Sequence, residues 1–211
     1  MRKILGISCI ILGIFCLLSS VGFVVYNRME SKSAEASSTI LLQDVQKKIT
    51  QKVQEAVSQE KVDEETYEEP SGQMVPVPLD GYDAIGILSI PALEVELPVL
   101  SDWSYEKLKK APCHYHGSCY GTDFVIAAHN YPAHFGRLSE LQPEDLILFT
   151  DTTGAVHCYQ VSLIETLSAT ATEEMITSGF DLSLYTCTPG GSNRVTVRCE
   201  KVHNVQKDRS P

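Results

Sequence analysis

The chain has 211 residues, 43% apolar and 21% charged, enough for one compact domain with extensions but too short for two large ones. Its formal net charge of −10 sets nucleic acid aside as a partner, because a phosphate-binding surface needs a basic patch and none is visible.

Residues 4–26 form an uncharged apolar run of 23 residues, long enough to cross a bilayer as a helix. Arg2 and Lys3 precede it, while Arg28 is soon followed by Glu30, so the charge bias favours a cytoplasmic N-terminus and export of the rest. A cleaved signal peptide is the rival reading. Its apolar region would be unusually long, and the clearest small-residue cleavage pattern, Ala34-Glu35-Ala36, lies well beyond the run. The expectation is a single-pass anchor over residues 1–29 in the cell membrane, with the remainder extracellular.

Residues 30–39 are small and polar and read as a flexible exit from the membrane. Leu41, Val45, Ile49, Val53 and Val57 then recur at helical spacing among Lys and Gln, which predicts a stalk helix or a helix packed on the main domain. An acidic run at 63–70 ends in Pro70, and Gly72, Pro76 and Pro78 follow, marking a linker. Residues 30–79 are therefore stalk and linker, and residues 80–211 the folded domain.

In that domain, short apolar runs at 84–90, 95–100, 123–128, 146–150, 156–161, 182–186 and 194–199 are separated by Pro, Gly, Asp and Asn. At least seven short strands with few helices predict an all-β fold, a closed or nearly closed barrel. Short helices are expected at 104–110 and 172–178, and Asp151-Thr152-Thr153-Gly154 reads as a turn between strands.

Cys9 and Cys16 lie in the apolar run, leaving five of the seven cysteines outside; an odd number means at least one exported thiol is free of any internal bridge. Cys187 ends the run Leu182-Ser183-Leu184-Tyr185-Thr186-Cys187, and the loop Thr188-Pro189-Gly190-Gly191-Ser192-Asn193 follows it. A strand ending in a Gly-rich loop exposes its last side chain at a barrel rim. A thiol is only a few per cent ionised at neutral pH, so a working nucleophile needs a base or nearby positive charge. His129, 58 residues upstream, and Arg194 would supply both if the barrel joins their strands. The bland alternative is a buried structural thiol, the reading given to Cys158 and Cys199.

Cys113-His114-Tyr115-His116-Gly117-Ser118-Cys119 holds four possible zinc ligands, or a Cys113–Cys119 disulfide, or simply a surface loop. His134 could line a groove near His129, and His157 and His203 sit in no functional pattern.

Ser183-Leu184-Tyr185-Thr186-Cys187 resembles the Thr-Leu-x-Thr-Cys strand of sortases, the membrane-anchored transpeptidases of Gram-positive bacteria. Arg194, opening Arg-Val-Thr-Val-Arg, is similar to the arginine that starts the family's next strand, and His129 in Ala-Ala-His-Asn to its histidine. Gly86-x-x-x-Ile90-Pro91, Leu97-Pro98-Val99 and Gly136-Arg137-Leu138 resemble further family segments, so the likeness spans about residues 81–203. Ser183 departs from the usual Thr while keeping a short hydroxyl.

The resemblance implies a closed sortase-type barrel behind the anchor and stalk. Cys187 would form a thioacyl-enzyme with an LPxTG-like sorting signal of an exported protein. His129 would serve as acid and then base, and Arg194 would stabilise the oxyanion or bind the substrate backbone. Thr186 would add a hydrogen bond beside the thiol as a substrate-binding residue. The acceptor would be a peptidoglycan precursor or other amine. The chemistry demands no cofactor or metal; calcium activates some members, but nothing in this chain marks a calcium site. Arg198, on Arg194's face but roughly 13 Å farther along an extended strand, is the second arginine weighed. The long insertion of class B is missing before Cys187, as are the class C lid motif Asp-Pro-Phe/Trp and second span. A cysteine peptidase, or a non-catalytic binding module on the same barrel, are the competing functions.

Overall fold

The computed structural model describes residues 2–59 and 72–202, with side chains for 10–56 and 72–202. The acidic linker read at 63–70, and His203, lie outside the described residues.

Nine strands form one sheet: β1 (Val77–Pro78), β2 (Asp83–Ile90), β3 (Val95–Leu100), β4 (Cys113–His116), β5 (Phe124–Ala127), β6 (Leu146–Asp151), β7 (Val156–Ser168), β8 (Leu182–Cys187) and β9 (Asn193–Lys201). Their order is β1-β2-β3-β4-β5-β8-β9-β7-β6, and β6 pairs back onto β2, so eight strands close a barrel while β1 extends β2 outside it. Closure removes the exposed edge that an open sheet would offer to other chains. Gly86 makes it possible: a Cβ there would lie 2.3 Å from the Thr150 carbonyl oxygen on β6.

The barrel is filled from alternate positions of its strands, among them Leu88, Ile90, Val99, Phe124, Ile126, Phe149, Leu184 and Val197, all buried. Two short helices lie where the sequence places them, α2 (Tyr105–Leu108) and α3 (Thr172–Ile176). Ser104 caps α2 by accepting from the Lys107 N–H at 3.2 Å.

Three expectations need correction. The 113–119 segment is not a plain surface loop: it opens with β4, paired antiparallel to β5. Second, β7 runs seven residues past the predicted end at 161, because a register shift between Val161 and Leu163 hides its alternation. Third, residues 30–39 are not a flexible exit.

One continuous helix, Arg2–Gln59 (labelled α1 here, ahead of α2 and α3), carries the chain from the apolar run to the barrel wall. Residues 30–39 contain Ala and Glu and no Gly or Pro, so nothing in them breaks a helix. Ala34, Ser38, Leu41, Val45 and Ile49 form a buried stripe at helical spacing. Val45 and Ile49 pack with Val77, Ala84 and Ile87, and Leu41 packs with Leu100, Ala111 and Cys113. The small side chains at 34 and 38 let the helix lie close to the domain. Ile40, the residue before Leu41, lies off that stripe and is 62% exposed.

Candidate active site

The antiparallel register of β8 and β9 sets Cys187 directly opposite Arg194. Directly opposed residues project to the same face with Cβ atoms about 5 Å apart. The hairpin joining them is closed by the Thr188 N–H donating to the Asn193 carbonyl at 3.0 Å and the Gly191 N–H to the Thr188 carbonyl at 2.8 Å. On the other side β8 runs parallel to β5, with Tyr185 level with Ala127. β5 ends at Ala127, but the Ala128 N–H still donates to the Tyr185 carbonyl at 3.2 Å, and His129 follows at the start of the next loop. The three predicted residues thus come from neighbouring segments at one end of the barrel, Cys187 and Arg194 opposed on β8 and β9 and His129 just past the end of β5.

All three line one open groove of about 160 Å³. Trp103, Tyr105, Tyr115 and Tyr185 form an aromatic wall; Trp103 meets Tyr105 edge-on at 5.8 Å between centroids, and Tyr115 meets Tyr185 at 5.5 Å. Met175 and Thr172 of α3 also line the groove, and Met175 belongs to the apolar cluster against which Tyr115 and Tyr185 pack. The side-chain hydrogen bonds of Arg194 all run through Nη1, to the carbonyls of Gly191 and Asn193, both at 3.0 Å. Burial lowers the pKa of His129 from its ordinary value, with the Glu30 carboxylate opposing the shift.

The loop that presents His129 is tightly built. The His129 carbonyl accepts from the Phe135 N–H at 3.2 Å, and the Tyr131 carbonyl accepts from the N–H groups of His134 and Gly136, each at 2.9 Å. Gly136 is required there, since a Cβ would lie 2.7 Å from the Asn130 carbonyl oxygen. Arg137 ties the loop to its neighbour by donating from Nη1 to the Leu93 carbonyl at 3.0 Å.

Thr186 sits elsewhere than expected. It is buried, and its hydroxyl donates to the Ala128 carbonyl at 2.9 Å, so it fastens the strand end carrying His129 and is absent from the groove lining. His134 does not line the groove either: it is buried, and burial, aided by His129, pushes its pKa down to about 4. Arg198 is 2% exposed and holds α3, donating from Nη2 to the Glu174 carbonyl at 2.8 Å and from Nη1 to the Met175 carbonyl at 3.3 Å. It also donates to Ser183 Oγ at 2.9 Å and pairs with Glu165 at 2.7 Å.

The four-ligand reading of 113–119 fails geometrically. Cys113 and Cys119 are unpaired, buried thiols in different apolar clusters, and the His114 ring bonds the carbonyls of Ser101 and Gly117 at 3.2 and 2.8 Å. A different group does gather: Cys119, Asp151 and His157 bring their ligand atoms within 4.8 Å of one another. The sequence offered no signal for it, because its members are far apart along the chain. Asp151 is already saturated by protein donors. Its Oδ1 accepts from the N–H and hydroxyl of Thr153 and the N–H of Ala155, while Oδ2 meets Tyr120 Oη at 2.5 Å and His157 Nε2 at 3.1 Å. Those contacts fit a structural network better than a metal site.

A family model described as the sortase domain matches residues 88–202. Among solved structures, sortase A from Corynebacterium diphtheriae is 24% identical with a TM-score of 0.53, covering 60% of this chain and 64% of that one. SortaseC1 from Streptococcus suis is 28% identical with a TM-score of 0.50, covering 60% and 76%. A Clostridium perfringens sortase D5 transpeptidase is 21% identical with a TM-score of 0.51, covering 57% and 80%. The chain thus spans just under two thirds of the first of these structures. Comparison with curated proteins returned no match. With the family model covering more than half of the chain, this protein belongs to the sortase family.

Proposed function

We propose that the chain is a membrane-anchored cysteine transpeptidase that cleaves an LPxTG-like sorting signal and joins the exported protein to a cell-wall amine. The observation that carries this is the meeting of His129, Cys187 and Arg194 in one open groove. The apolar run of α1 is the anchor, with the N-terminus cytoplasmic and the barrel outside.

In this reading Cys187 gives its proton to His129, its sulfur attacks the scissile carbonyl carbon, and Arg194 meets the oxyanion with the N–H groups not used on its own loop. Collapse breaks the C–N bond, His129 protonates the departing amine, and a thioester remains on Cys187. An incoming amine then attacks the thioester, the C–S bond breaks, and the sulfur leaves with the electron pair. One amide is lost and one is formed, so the exchange needs no redox partner and no nucleotide. The aromatic wall and Met175 of α3 give the signal peptide an apolar bed beside the thiol.

The test is to incubate the full chain, in detergent micelles, with a panel of sorting-signal peptides and oligoglycine or diaminopimelate amines, following products by mass spectrometry. An amine-joined product that vanishes in Cys187→Ala supports the transpeptidase. Hydrolysis alone would replace it with the peptidase reading, and a Cys187 inert to every peptide and to alkylating reagents would replace both with a binding module.

A further inference from the structure

His129 is shared by two openings. One is the groove that holds Cys187 and Arg194. The other is a cavity of about 550 Å³ bounded by α1 between Val24 and Ser31 and by the loop from His129 to Pro132. The dense run of exposed large apolar side chains on α1 ends at Met29, with Ile40 and Val53 exposed farther on, whereas Glu30 is partly buried. The cavity therefore opens at the outer edge of the apolar run, where a bilayer gives way to its headgroups.

Glu30 is the cavity's only carboxylate among the described residues, and Arg28 lines it as well. Tyr131 lines the same cavity as Glu30, and burial together with the Glu30 charge pushes the tyrosine pKa up to about 12. Lys109 is also within Glu30's field but has its own partner, Glu106, at 3.2 Å. Glu30 thus keeps acceptor capacity for a further donor, since a carboxylate has about four lone-pair sites.

An acyl-transfer site of this kind has a traffic problem. Once the signal peptide occupies the groove, its acyl part stays on Cys187, and the second substrate must still reach His129. A second opening onto the same imidazole, walled by a carboxylate, suits a primary ammonium group. We propose that this cavity is the acceptor site: Glu30 holds the incoming ammonium group, and His129 takes a proton from it before attack. The proposal rests on the acyl-transfer reading given above.

The bookkeeping closes as follows. The ammonium group gives one proton to neutral His129 and becomes a nucleophile. Its nitrogen bonds the thioester carbon, the C–S bond breaks with its electrons on sulfur, and the second proton passes to solvent. The amide product leaves Cys187 as thiolate beside a protonated His129, ready for the next signal peptide.

The experiment uses the full chain in lipid nanodiscs and an aryl-diazirine carrying a primary amine, with its N-acetyl counterpart as the neutral control. Photolabelling read by peptide mass spectrometry is expected on residues 24–31 and 130–132, falling at least fivefold for the acetylated probe and for Glu30→Gln. In steady state with a cleavable signal peptide, Glu30→Gln should raise the KM for the amine roughly three- to tenfold, the loss of one charge-assisted contact, and lower the ratio of joined to hydrolysed product. Glu30→Lys should do more of both. Labels outside the cavity, equal labelling by the acetylated probe, or an unchanged amine KM would each overturn the proposal. Failure of the wild-type chain to form any thioacyl-enzyme would instead break the acyl-transfer reading, while the label map still decides the cavity.

Discussion

Cys187 and Cys119 stand in one barrel, each with a histidine and a charged partner close by, yet their surroundings differ in almost every physical respect. Cys187 is partly exposed at the end of β8, faces Arg194 across the hairpin and shares an open groove with His129. Cys119 is fully buried beside Asp151 and His157, and burial, aided by the Asp151 charge, pushes its thiol up to about 12. The buried trio has the residue types of a cysteine-protease triad and none of the access. Its carboxylate is spent on a turn, a tyrosine and the histidine. Residue types nominate a site; only solvent access and unspent hydrogen bonds let it act on a substrate.

The widest gap should separate the two thiols in activity. Cys187→Ala is expected to abolish thioacyl formation, while Cys119→Ala should leave kcat/KM within about threefold and lower stability by about 1 kcal/mol, the cost of a small cavity. Peptide turnover and thermal melting of both variants decide it. A dead Cys119→Ala that still melts normally would transfer the chemistry to the buried trio.

A second pair of variants contrasts the two arginines of β9. Arg194→Gln should reduce kcat by about 100- to 1000-fold with little change in melting, as removal of an oxyanion donor does. Arg198→Gln should instead cost about 3 kcal/mol, because it strands Glu165 and the carbonyls of Glu174 and Met175. Reversal of the two phenotypes would reverse the assignment.

Much of this was legible in the chain. Seven of the nine strands announce themselves as apolar runs between turn residues, and the Cys187 and Arg194 segments carry their own pairing, since a six-residue separation around a Gly-rich loop makes a hairpin. Two things were hidden. β4 lacks an apolar run, because Cys113, His114 and Tyr115 satisfy the sheet with side chains that sequence patterns count as polar or ambiguous. The course of α1 was hidden by its smallest residues: Ala34 and Ser38 look like a linker in sequence, but both are buried in the stripe that α1 turns to the domain. The Cys119–Asp151–His157 group could not be read at all, because only barrel closure brings β6 and β7 against the β4–β5 connection.

The buried trio is expected to matter for folding in a pH-dependent way. Hydrogen bonds from His157, Thr153 and Tyr120 outweigh burial and hold Asp151 well below the usual carboxylate range. A depressed folded-state pKa means that its stabilisation is complete above the unfolded value near 4 and is lost as pH falls towards the folded one. Asp151→Asn should therefore destabilise the barrel by about 2–3 kcal/mol at pH 7 and flatten the decline in stability between about pH 5 and pH 2. Denaturant unfolding at several pH values tests both; a parallel decline in the two proteins would remove Asp151 from the network.

The smallest effect separates two jobs for Thr186. If its hydroxyl serves only to fasten the Ala128 carbonyl, Thr186→Val keeps the shape, leaves that carbonyl unpaired and costs about 1 kcal/mol in stability. His129 is the next residue along, so slackening there should lower kcat a few-fold by loosening the imidazole relative to Cys187, with the KM for peptide unchanged. If the hydroxyl instead contacted the bound signal, the KM for peptide would rise while kcat held. The hydrogen bond to the backbone favours the first outcome, because a hydroxyl has one proton and Thr186 already gives it to Ala128.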